Sequence, residues 1–217
     1  MKKTFYKRYG KRILDLCIGI PLFIGILPIL FIVGLLVFLM SGGPILFFQE
    51  RLAINGRKFL IIKFRTMNTM KKKNGGEIFA DHPDVTWIGK LLRRTKIDEL
   101  PQLWNIIYGD LSFIGPRPLL PESINQFTEI ARKRLDVPQG LASLTEVNGN
   151  IYLDWNDRWC YDAEYVDKQS FLLDTEIFFR SILVVVFGEE QYLRPYQGKY
   201  KSDLKNENVH ENIRNVA

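Results

Sequence analysis

Cysteine and histidine are scarce in this chain of 217 residues. It contains two cysteines, Cys17 and Cys160, and two histidines, His82 and His210. Two cysteines, one of them in an apolar run, provide neither a disulfide framework nor the spacing of a zinc site, and they fit a reducing compartment. Two histidines, one in a polar tail, disfavour a histidine triad or a two-histidine metal site. The glycines form no phosphate-loop pattern. Any chemistry therefore has to come from other residue types.

Acidic residues are outnumbered by basic ones. The chain has 30 lysines and arginines against 24 aspartates and glutamates, a formal charge of +6, and a pI of about 9.2. This excess implies an anionic partner, which can be nucleic acid, a lipid headgroup or a phosphorylated substrate. No recognised nucleic-acid fold signature is present, so we expect no nucleic-acid partner. A membrane-associated nucleic-acid binder stays an alternative that salt-dependent oligonucleotide binding would test.

A long apolar run from Ile13 to Met40 follows a basic N-terminus. Its 28 residues exceed the apolar part of a signal peptide and lack a convincing cleavage site, so we expect the run to be retained. As a helix it would measure about 42 Å, enough to cross a hydrocarbon core of about 30 Å. Both flanks are basic, however, and the positive-inside tendency places both on the cytoplasmic face. We therefore favour a re-entrant helix–break–helix centred on Leu27 and Pro28 over a full span.

Two short strand-like runs come next, at 44–49 and 58–64. The Asn-Gly pair at 55–56 lies between them and is a good turn signal, so the sequence predicts a β-hairpin. Alternation along the second strand would place Lys63 and Arg65 on one face. The polar segment from Met70 to His82 is interpreted as a solvated loop.

The stretch from Arg93 to Pro118 combines an acidic pair with several cations. Apolar residues recur at helical spacing after the pair, at Leu100, Leu103, Trp104 and Ile107. We predict a helix with Asp98 as its N-cap, Pro101 in its first turn and Gly109 as its stop. The start of a helix favours ionised carboxylates and nearby phosphates, and the neighbouring cations would also hold a polyanion. Ordinary helix capping explains an acidic pair equally well when the pair is taken alone.

Three motifs together resemble a known family. They are KFRTM at Lys63–Met67, DELPQLWN at Asp98–Asn105 and GDLSFIGPRPLLPE at Gly109–Glu122. In this order they are similar to the monotopic phosphoglycosyl transferases, bacterial sugar transferases that begin glycan assembly on a polyprenyl phosphate. The resemblance extends from residues 11–12 to about Phe187. It also implies a re-entrant membrane helix broken near the proline at the position of Pro28.

The resemblance implies a reaction and a set of site residues. Asp98 would attack the sugar-linked phosphate of a UDP-sugar and release UMP, and a polyprenyl phosphate, such as undecaprenyl phosphate, would then displace Asp98. Mg²⁺ would be held near Asp98 and Glu99, and Glu99 would help to position the metal or manage a proton. The cations expected to bind phosphates are Lys63, Arg65, Arg93 and Arg117. Direct attack by the lipid phosphate, without a covalent aspartate, is an alternative.

The resemblance weakens between Val137 and Asn150. The family pattern there contains proline, threonine, glycine, glutamine and arginine, and this chain has Gln139, Ala142, Ser143, Glu146 and Asn150 at those positions. The change at Asn150 removes a cation, and Glu146 adds charge of the wrong sign for phosphate. Either the loop is adapted to another nucleotide sugar or the protein is a weak or inactive relative that binds polyprenyl phosphate. Because Asp98, Glu99, Arg93 and Arg117 are all present, we favour adaptation.

These observations predict an α+β chain, mostly helical, in three parts. Residues 1–40 form the basic N-terminus and re-entrant helix, 41–188 a small catalytic domain, and 189–217 a polar tail. Amphipathic helices are predicted at Glu122–Leu135, Arg158–Lys168 and Phe171–Phe187, the last lying on the membrane surface or packed. The resemblance implies a monotopic protein of the bacterial inner membrane with its catalytic domain on the cytoplasmic face. Its expected partners are the UDP-sugar, polyprenyl phosphate, membrane lipid and downstream glycosyltransferases.

Overall fold

The computed structural model describes residues 4–67 and 84–203. The loop predicted at Met70 to His82 lies outside this range, as does the end of the chain from residue 204. After a π-helical turn at Tyr6–Gly10, the regular elements are α1 (Lys11–Ser41), β1 (Leu46–Leu52), β2 (Lys58–Phe64), α2 (Trp87–Arg94), α3 (Leu103–Tyr108), β3 (Ser112–Ile114), α4 (Glu129–Arg132), β4 (Gly140–Ala142), α5 (Trp155–Lys168) and α6 (Phe171–Phe187). The described chain is thus mostly helical with little strand, as the sequence predicted.

The predicted hairpin is confirmed. Strands β1 and β2 pair antiparallel from Leu46 opposite Phe64 to Leu52 opposite Lys58. Asn55 and Gly56 both have positive φ, which is the conformation that an Asn-Gly turn favours. The first strand begins at Leu46 rather than at residue 44, because a proline cannot donate to the ladder.

The free edge of β2 is covered by one side chain of α3. The amide nitrogen of Asn105 donates to the carbonyl of Leu60 at 2.8 Å, and its amide oxygen accepts from the N–H of Ile62 at 3.2 Å. Asn105 is buried, so these bonds replace those that a third strand would make. The contact fixes α3, and the turn before it, against the hairpin.

Strands β3 and β4 form a short parallel pair. The pair connects the motif at Gly109–Glu122 with the segment Val137–Asn150, where the chain departs from the family pattern. Ser112 of β3 pairs with Gly140 of β4, and Ile114 pairs with Ala142. The backbones approach so closely that a Cβ at Gly140 would lie 2.0 Å from the nitrogen of Gly115. Only glycine fits such an approach. This contact brings the segment after Gly140 beside Arg117.

Helix α1 runs from Lys11 to Ser41 without an interruption in its helical assignment, and the re-entrant bend predicted at Leu27 and Pro28 stays a prediction. Pro21 and Pro28 both lie inside the helix. A proline removes one backbone hydrogen bond and can bend a helix while its dihedral angles stay helical, so the chain need not leave the helix there. By length and composition, the helical stretch Tyr6–Ser41 could cross a membrane.

One stripe of α1 packs against the rest of the protein along its whole length. Near the start, Lys11 forms a buried 2.5 Å ion pair with Asp174. In the middle, a Cβ at Gly19 would lie 3.6 Å from the ring of Phe113. Near the end, Val33 and Val37 pack in one cluster with Phe64, Ile88 and Leu92. The other faces expose large apolar side chains such as Phe31 and Leu39.

The C-terminal half contains two longer helices and a packed extension. Helix α5 includes the predicted Arg158–Lys168, and α6 matches its predicted bounds and exposes many apolar side chains. The helix predicted at Glu122–Leu135 is wrong: two 3₁₀ turns flank the single turn α4, because Thr128 caps Ala131 and starts a new helix there. Residues 189–203, assigned above to the tail, bury Tyr196 and Tyr200 against α5.

Candidate active site

The acidic pair lies in a tight turn before α3. Residues Ile97–Gln102 form a 3₁₀ helix, and Asp98 lies inside it, so the prediction of Asp98 as an α-helix N-cap is wrong. The α-helix itself runs from Leu103 to Tyr108, and Gly109, the predicted stop, follows it with a positive φ. Pro101 contributes to the tighter turn, since it restricts the residue before it and lacks an N–H. The turn is preceded by Lys96, whose φ of 57° is rare for a residue with a side chain.

Glu99 is tightly bound by two cations. Its Oε1 accepts from Lys63 Nζ at 2.6 Å and from Arg117 Nη2 at 2.8 Å. Burial of the carboxylate raises its pKa, but the charges of Arg117 and Lys63 outweigh burial and hold the pKa of Glu99 well below its ordinary value. Glu99 is therefore ionised and holds both cations in place.

Asp98 has a very different environment, although it is the next residue. It is 7% exposed, and its Oδ1 has no hydrogen-bond partner within the described part of the chain. Burial and the charge of Glu99 raise the pKa of Asp98 to about 6, against the opposing effects of Lys63, Arg93 and Lys96. Two neighbouring carboxyl groups thus differ in proton affinity, a pattern that is common in catalytic pairs.

The structure brings three of the four predicted phosphate-binding cations to this pair. Lys63 and Arg117 contact Glu99 directly, and the charge of Arg93 acts on both acids while its Nε donates to Thr66 at 2.9 Å. Arg65 is different. Its guanidinium binds the carbonyls of Ser41, Gly42 and Gly43 at the C-terminal end of α1. These contacts give Arg65 a structural role at the end of α1, its Nε has no partner among the described residues, and its phosphate-binding role stays a prediction.

The altered loop places a second charged group beside Arg117. Glu146 is buried, and its Oε1 lies 3.6 Å from Lys96 Nζ and 3.7 Å from Arg117 Nη1. Lys96 Nζ is also 3.0 Å from Oε1 of Glu189, and the amide of Asn150 donates to Oε2 of Glu189 at 2.9 Å. The glutamate that the sequence indicated as adverse therefore faces two cations, which it shares with Glu99 and Glu189, and burial still raises its pKa above the ordinary value.

The sequence places Lys96 among the cations beside the acidic pair without assigning it a partner, and sequence reasoning missed Glu189 as part of the site. The pKa of Lys96 is raised, because the carboxylates of Glu146, Glu99 and Glu189 outweigh the effect of burial and of Arg117. Glu189 is 93 residues away along the chain, in a segment without a motif. The positive charge of Lys96 beside the acidic pair was visible, but its partners depend on the tertiary fold.

Arg51 is a further cation on this side of the hairpin. A small pocket is lined by Arg51, Ile61, Lys63, Gln102, Arg117, Pro118, Gly140 and Leu141. Arg51 donates to the carbonyl of Pro118 at 3.2 Å and to the side chain of Gln49 at 2.7 Å. Burial and the charge of Arg117 lower its pKa to about 10. The arrangement concentrates positive charge next to Glu99, which suits an anionic ligand.

A metal site made by the protein alone is absent from residues 4–67 and 84–203, where no three His, Cys, Asp or Glu side chains converge. Magnesium sites, however, commonly use one or two carboxylates together with substrate phosphates. The free Oδ1 of Asp98 beside phosphate-binding cations fits such a site.

Comparisons with known proteins show which family this chain resembles. The family described as "Bacterial sugar transferase" matches residues 6–188. The chain is 36% identical over 179 residues to the uncharacterized sugar transferase EpsL of Bacillus subtilis, covering 82% of this chain and 88% of that protein. It is 35% identical to the undecaprenyl-phosphate glucose phosphotransferase of Komagataeibacter xylinus, covering 84% of this chain but 37% of the relative.

A third relative has a similar name and a similar overlap. It is the UDP-N-acetylgalactosamine-undecaprenyl-phosphate N-acetylgalactosaminephosphotransferase of Aeromonas hydrophila, 35% identical over 193 residues. The match covers 85% of this chain and 44% of that protein. The chain thus spans less than half the length of the two relatives named as phosphotransferases. It spans 88% of the length of EpsL.

Proposed function

This chain belongs to the bacterial sugar transferase family and is a phosphoglycosyl transferase, and we propose that it moves a phosphosugar from a UDP-sugar to polyprenyl phosphate. Two relatives of more than 30% identity carry names that specify sugar-phosphate transfer to undecaprenyl phosphate. The products would be UMP and a polyprenyl diphosphate sugar, the first intermediate of a glycan or polysaccharide.

The observation that carries the mechanism is the contrast between Asp98 and Glu99. Glu99 is occupied by Lys63 and Arg117, whereas Oδ1 of Asp98 is buried and has no hydrogen-bond partner among residues 4–67 and 84–203. A carboxylate beside cations that is not held by an ion pair of its own is suited to attack phosphorus once substrate is bound. Asp98 would form a bond to the sugar-linked phosphorus as the bond to the UMP oxygen breaks, which gives an acyl phosphate. An oxygen of polyprenyl phosphate would then attack the same phosphorus and release Asp98 as a carboxylate.

The cations would supply most of the remaining catalysis. Phosphoryl transfer depends mainly on positioning and on neutralising the charged oxygens. Lys63 and Arg117 are already fixed by Glu99, and Arg93 is fixed by Thr66, so little ordering is needed when substrate binds. Glu99 acts as the residue that orients this set.

Magnesium fits the same site as a proposed cofactor. Asp98 and Glu99 would hold the ion together with diphosphate oxygens, and when bound it would supply charge neutralisation.

The packing of α1 supports a monotopic, re-entrant anchor. Lys11 near the start of α1 and Val37 near its end both contact the same folded domain. A helix that crossed the bilayer would place its ends on opposite sides, which one small domain cannot reach without entering the lipid itself. The exposed apolar faces of α1 would therefore enter one leaflet and leave by the same face. With basic flanks, that face is the cytoplasmic side of the inner membrane.

An inactive relative that binds polyprenyl phosphate is the second candidate, because Glu146 and Asn150 depart from the family pattern. The contacts of Glu146 weigh against it, since Lys96 and Arg117 balance its charge. Loss of phosphate affinity from an unpaired carboxylate is therefore not expected.

Release of UMP tests the proposal. Purified protein in detergent is given Mg²⁺, undecaprenyl phosphate and each member of a panel of UDP-sugars. We expect wild type and the control Asp136→Asn, which changes an exposed aspartate, to release UMP from at least one sugar, and Asp98→Asn to release none. Folded wild type that is inactive across the panel would support the inactive relative instead.

A further inference from the structure

The C-terminal ends of α2 and α6 meet at one ion pair. Lys96 follows the last residue of α2 by two positions, and Glu189 follows the last residue of α6 by two positions. Their side chains are 3.0 Å apart. The pair therefore closes the gap between two helices at the edge of the active site, next to the turn that presents Asp98.

Both helices expose large apolar side chains near this pair. Leu91, in the second half of α2, is exposed, and Trp87 at the other end of the same helix is 70% exposed. Val186 and Phe187, the last two residues of α6, are exposed as well. Apolar side chains on amphipathic helices favour the membrane surface, and α1 provides a large apolar surface on the same protein. The Lys96–Glu189 pair thus lies between two elements suited to face lipid.

The exposed side chains of Leu91, Val186 and Phe187 make this side the one from which a lipid acceptor would approach Asp98. Its hydrocarbon chain stays in the membrane, so only its phosphate reaches the site, and it passes between elements that face lipid. The donor is water-soluble and has no such restriction. Resting on the proposed function, we propose that Lys96 binds the phosphate of the polyprenyl acceptor at this entrance and that Glu189 is its positioning residue.

The geometry leaves Lys96 able to bind a phosphate. Within the described residues, its ammonium group donates a hydrogen bond to Glu189, while Glu146 lies at ion-pair distance, 3.6 Å, which is longer than a hydrogen bond. The side chain is 31% exposed, which leaves room for a ligand. A lysine held beside carboxylates is both charged and fixed in place.

Glu189 is itself fixed from the other side. The amide of Asn150 donates to its second oxygen at 2.9 Å, and Asn150 has a positive φ of 42°. Asn150 and Lys96 thus share one carboxylate. This arrangement gives a structural reason for asparagine at a position where the family pattern has arginine, since the cation that faces Glu189 is Lys96.

Separate kinetic constants for the two substrates test this inference. The variants are Lys96→Met with the control Lys90→Met, and Glu189→Gln with the control Glu190→Gln; both control residues are exposed. For Lys96→Met we expect the KM for undecaprenyl phosphate to rise about tenfold, the effect of losing one charge-assisted hydrogen bond. Glu189→Gln should raise it severalfold. In both variants the KM for the UDP-sugar should rise less than the KM for the acceptor, because Lys63, Arg93 and Arg117, which are proposed to bind the donor phosphates, are unchanged.

If Glu189 positions Lys96, a double variant and a conservative substitution should give a specific pattern of acceptor KM values. Glu189→Gln should add little in the Lys96→Met background, because both changes remove the same contact. Glu189→Asp should recover part of the acceptor affinity. An active wild type whose acceptor KM is unchanged in Lys96→Met, or whose donor KM rises equally, overturns the inference and leaves the proposed function standing. A wild type inactive on every sugar overturns the proposed function, and this inference with it.

Discussion

At the scale of single residues, the site depends on two adjacent carboxyl groups, Asp98 and Glu99, that differ in pKa and in ion-pair partners. The sequence predicts the acidic pair and its nearby cations. It does not predict that Glu99 takes both Lys63 and Arg117, because these partners lie 36 and 18 residues away and meet it only through the hairpin and the β3–β4 contact. Nor could it show that Arg65 is used to cap α1. Motif positions identify candidates, and tertiary contacts assign their roles.

The proton affinity of Asp98 is the first consequence at this scale. Its pKa of about 6 means that, without metal or substrate, the side chain is mostly protonated at pH 5 and ionised at pH 7. Because this pKa is above the ordinary aspartate value, the group contributes stability below about pH 4, and that contribution is lost as the pH rises through about 6.

Carbon-13 NMR of metal-free protein labelled at aspartate carboxyl carbons measures this directly. We expect one resonance to titrate near pH 6 and to be missing from Asp98→Asn. All aspartates of the wild type titrating below about pH 4.5 would contradict the assignment of Asp98 as the acid with the raised pKa.

At the scale of elements, local sequence signals predict the hairpin, the end of α3 and α6, and they fail where side chains replace backbone contacts. The Asn-Gly turn and the helix end at Gly109 depend only on neighbouring residues, so the sequence predicts both. The 3₁₀ turn before α3 depends on Pro101, and the short α4 depends on its N-cap Thr128. Helix propensity alone does not distinguish these short elements from one continuous helix. The bonds that Asn105 makes to β2 are tertiary, so no periodicity indicates them.

The role of Asn105 can be measured by its removal. Asn105→Ala leaves the N–H of Ile62 and the carbonyl of Leu60 without their partner on the free edge of β2. We expect the free energy of unfolding to fall by about 2–3 kcal/mol, because two backbone groups in a half-buried place lose hydrogen bonds. Denaturant unfolding in detergent, followed by circular dichroism, measures the change. Asn125→Ala, at an exposed position, serves as the control, and an equal effect of the two substitutions would refute this role.

At the scale of the whole molecule, α1 is part of the fold as well as the proposed membrane anchor. Its basic flanks predict that both ends lie on one side of the membrane, and its contacts along the domain support the same topology. The prolines at 21 and 28 are accommodated inside one assigned helix, and the bend at Pro28 that re-entry would need stays a prediction. Hydropathy reveals the length of such a segment, whereas its packing stripe becomes evident only with the domain in place.

Cysteine labelling tests the topology. In a Cys17→Ser background, single cysteines are placed at Thr4, before α1, and at Lys58, after it. The remaining Cys160 is buried and its pKa is raised to about 12, so it should react slowly. We expect a membrane-impermeant maleimide to label both new cysteines in inverted inner-membrane vesicles and neither in intact spheroplasts. Labelling of the two sites from opposite faces would establish a spanning helix and contradict the re-entrant anchor.

The central claim is that Asp98 carries the phosphosugar between donor and acceptor. Its most direct test is to mix the protein, Mg²⁺ and a reactive UDP-sugar labelled in the sugar, without lipid, and to quench rapidly under denaturing conditions. We predict that label stays on wild type and Asp136→Asn, maps to the peptide containing Asp98, and disappears when undecaprenyl phosphate is added before the quench. Full turnover with no label on the protein at any time would contradict the covalent mechanism and favour direct attack by the lipid phosphate.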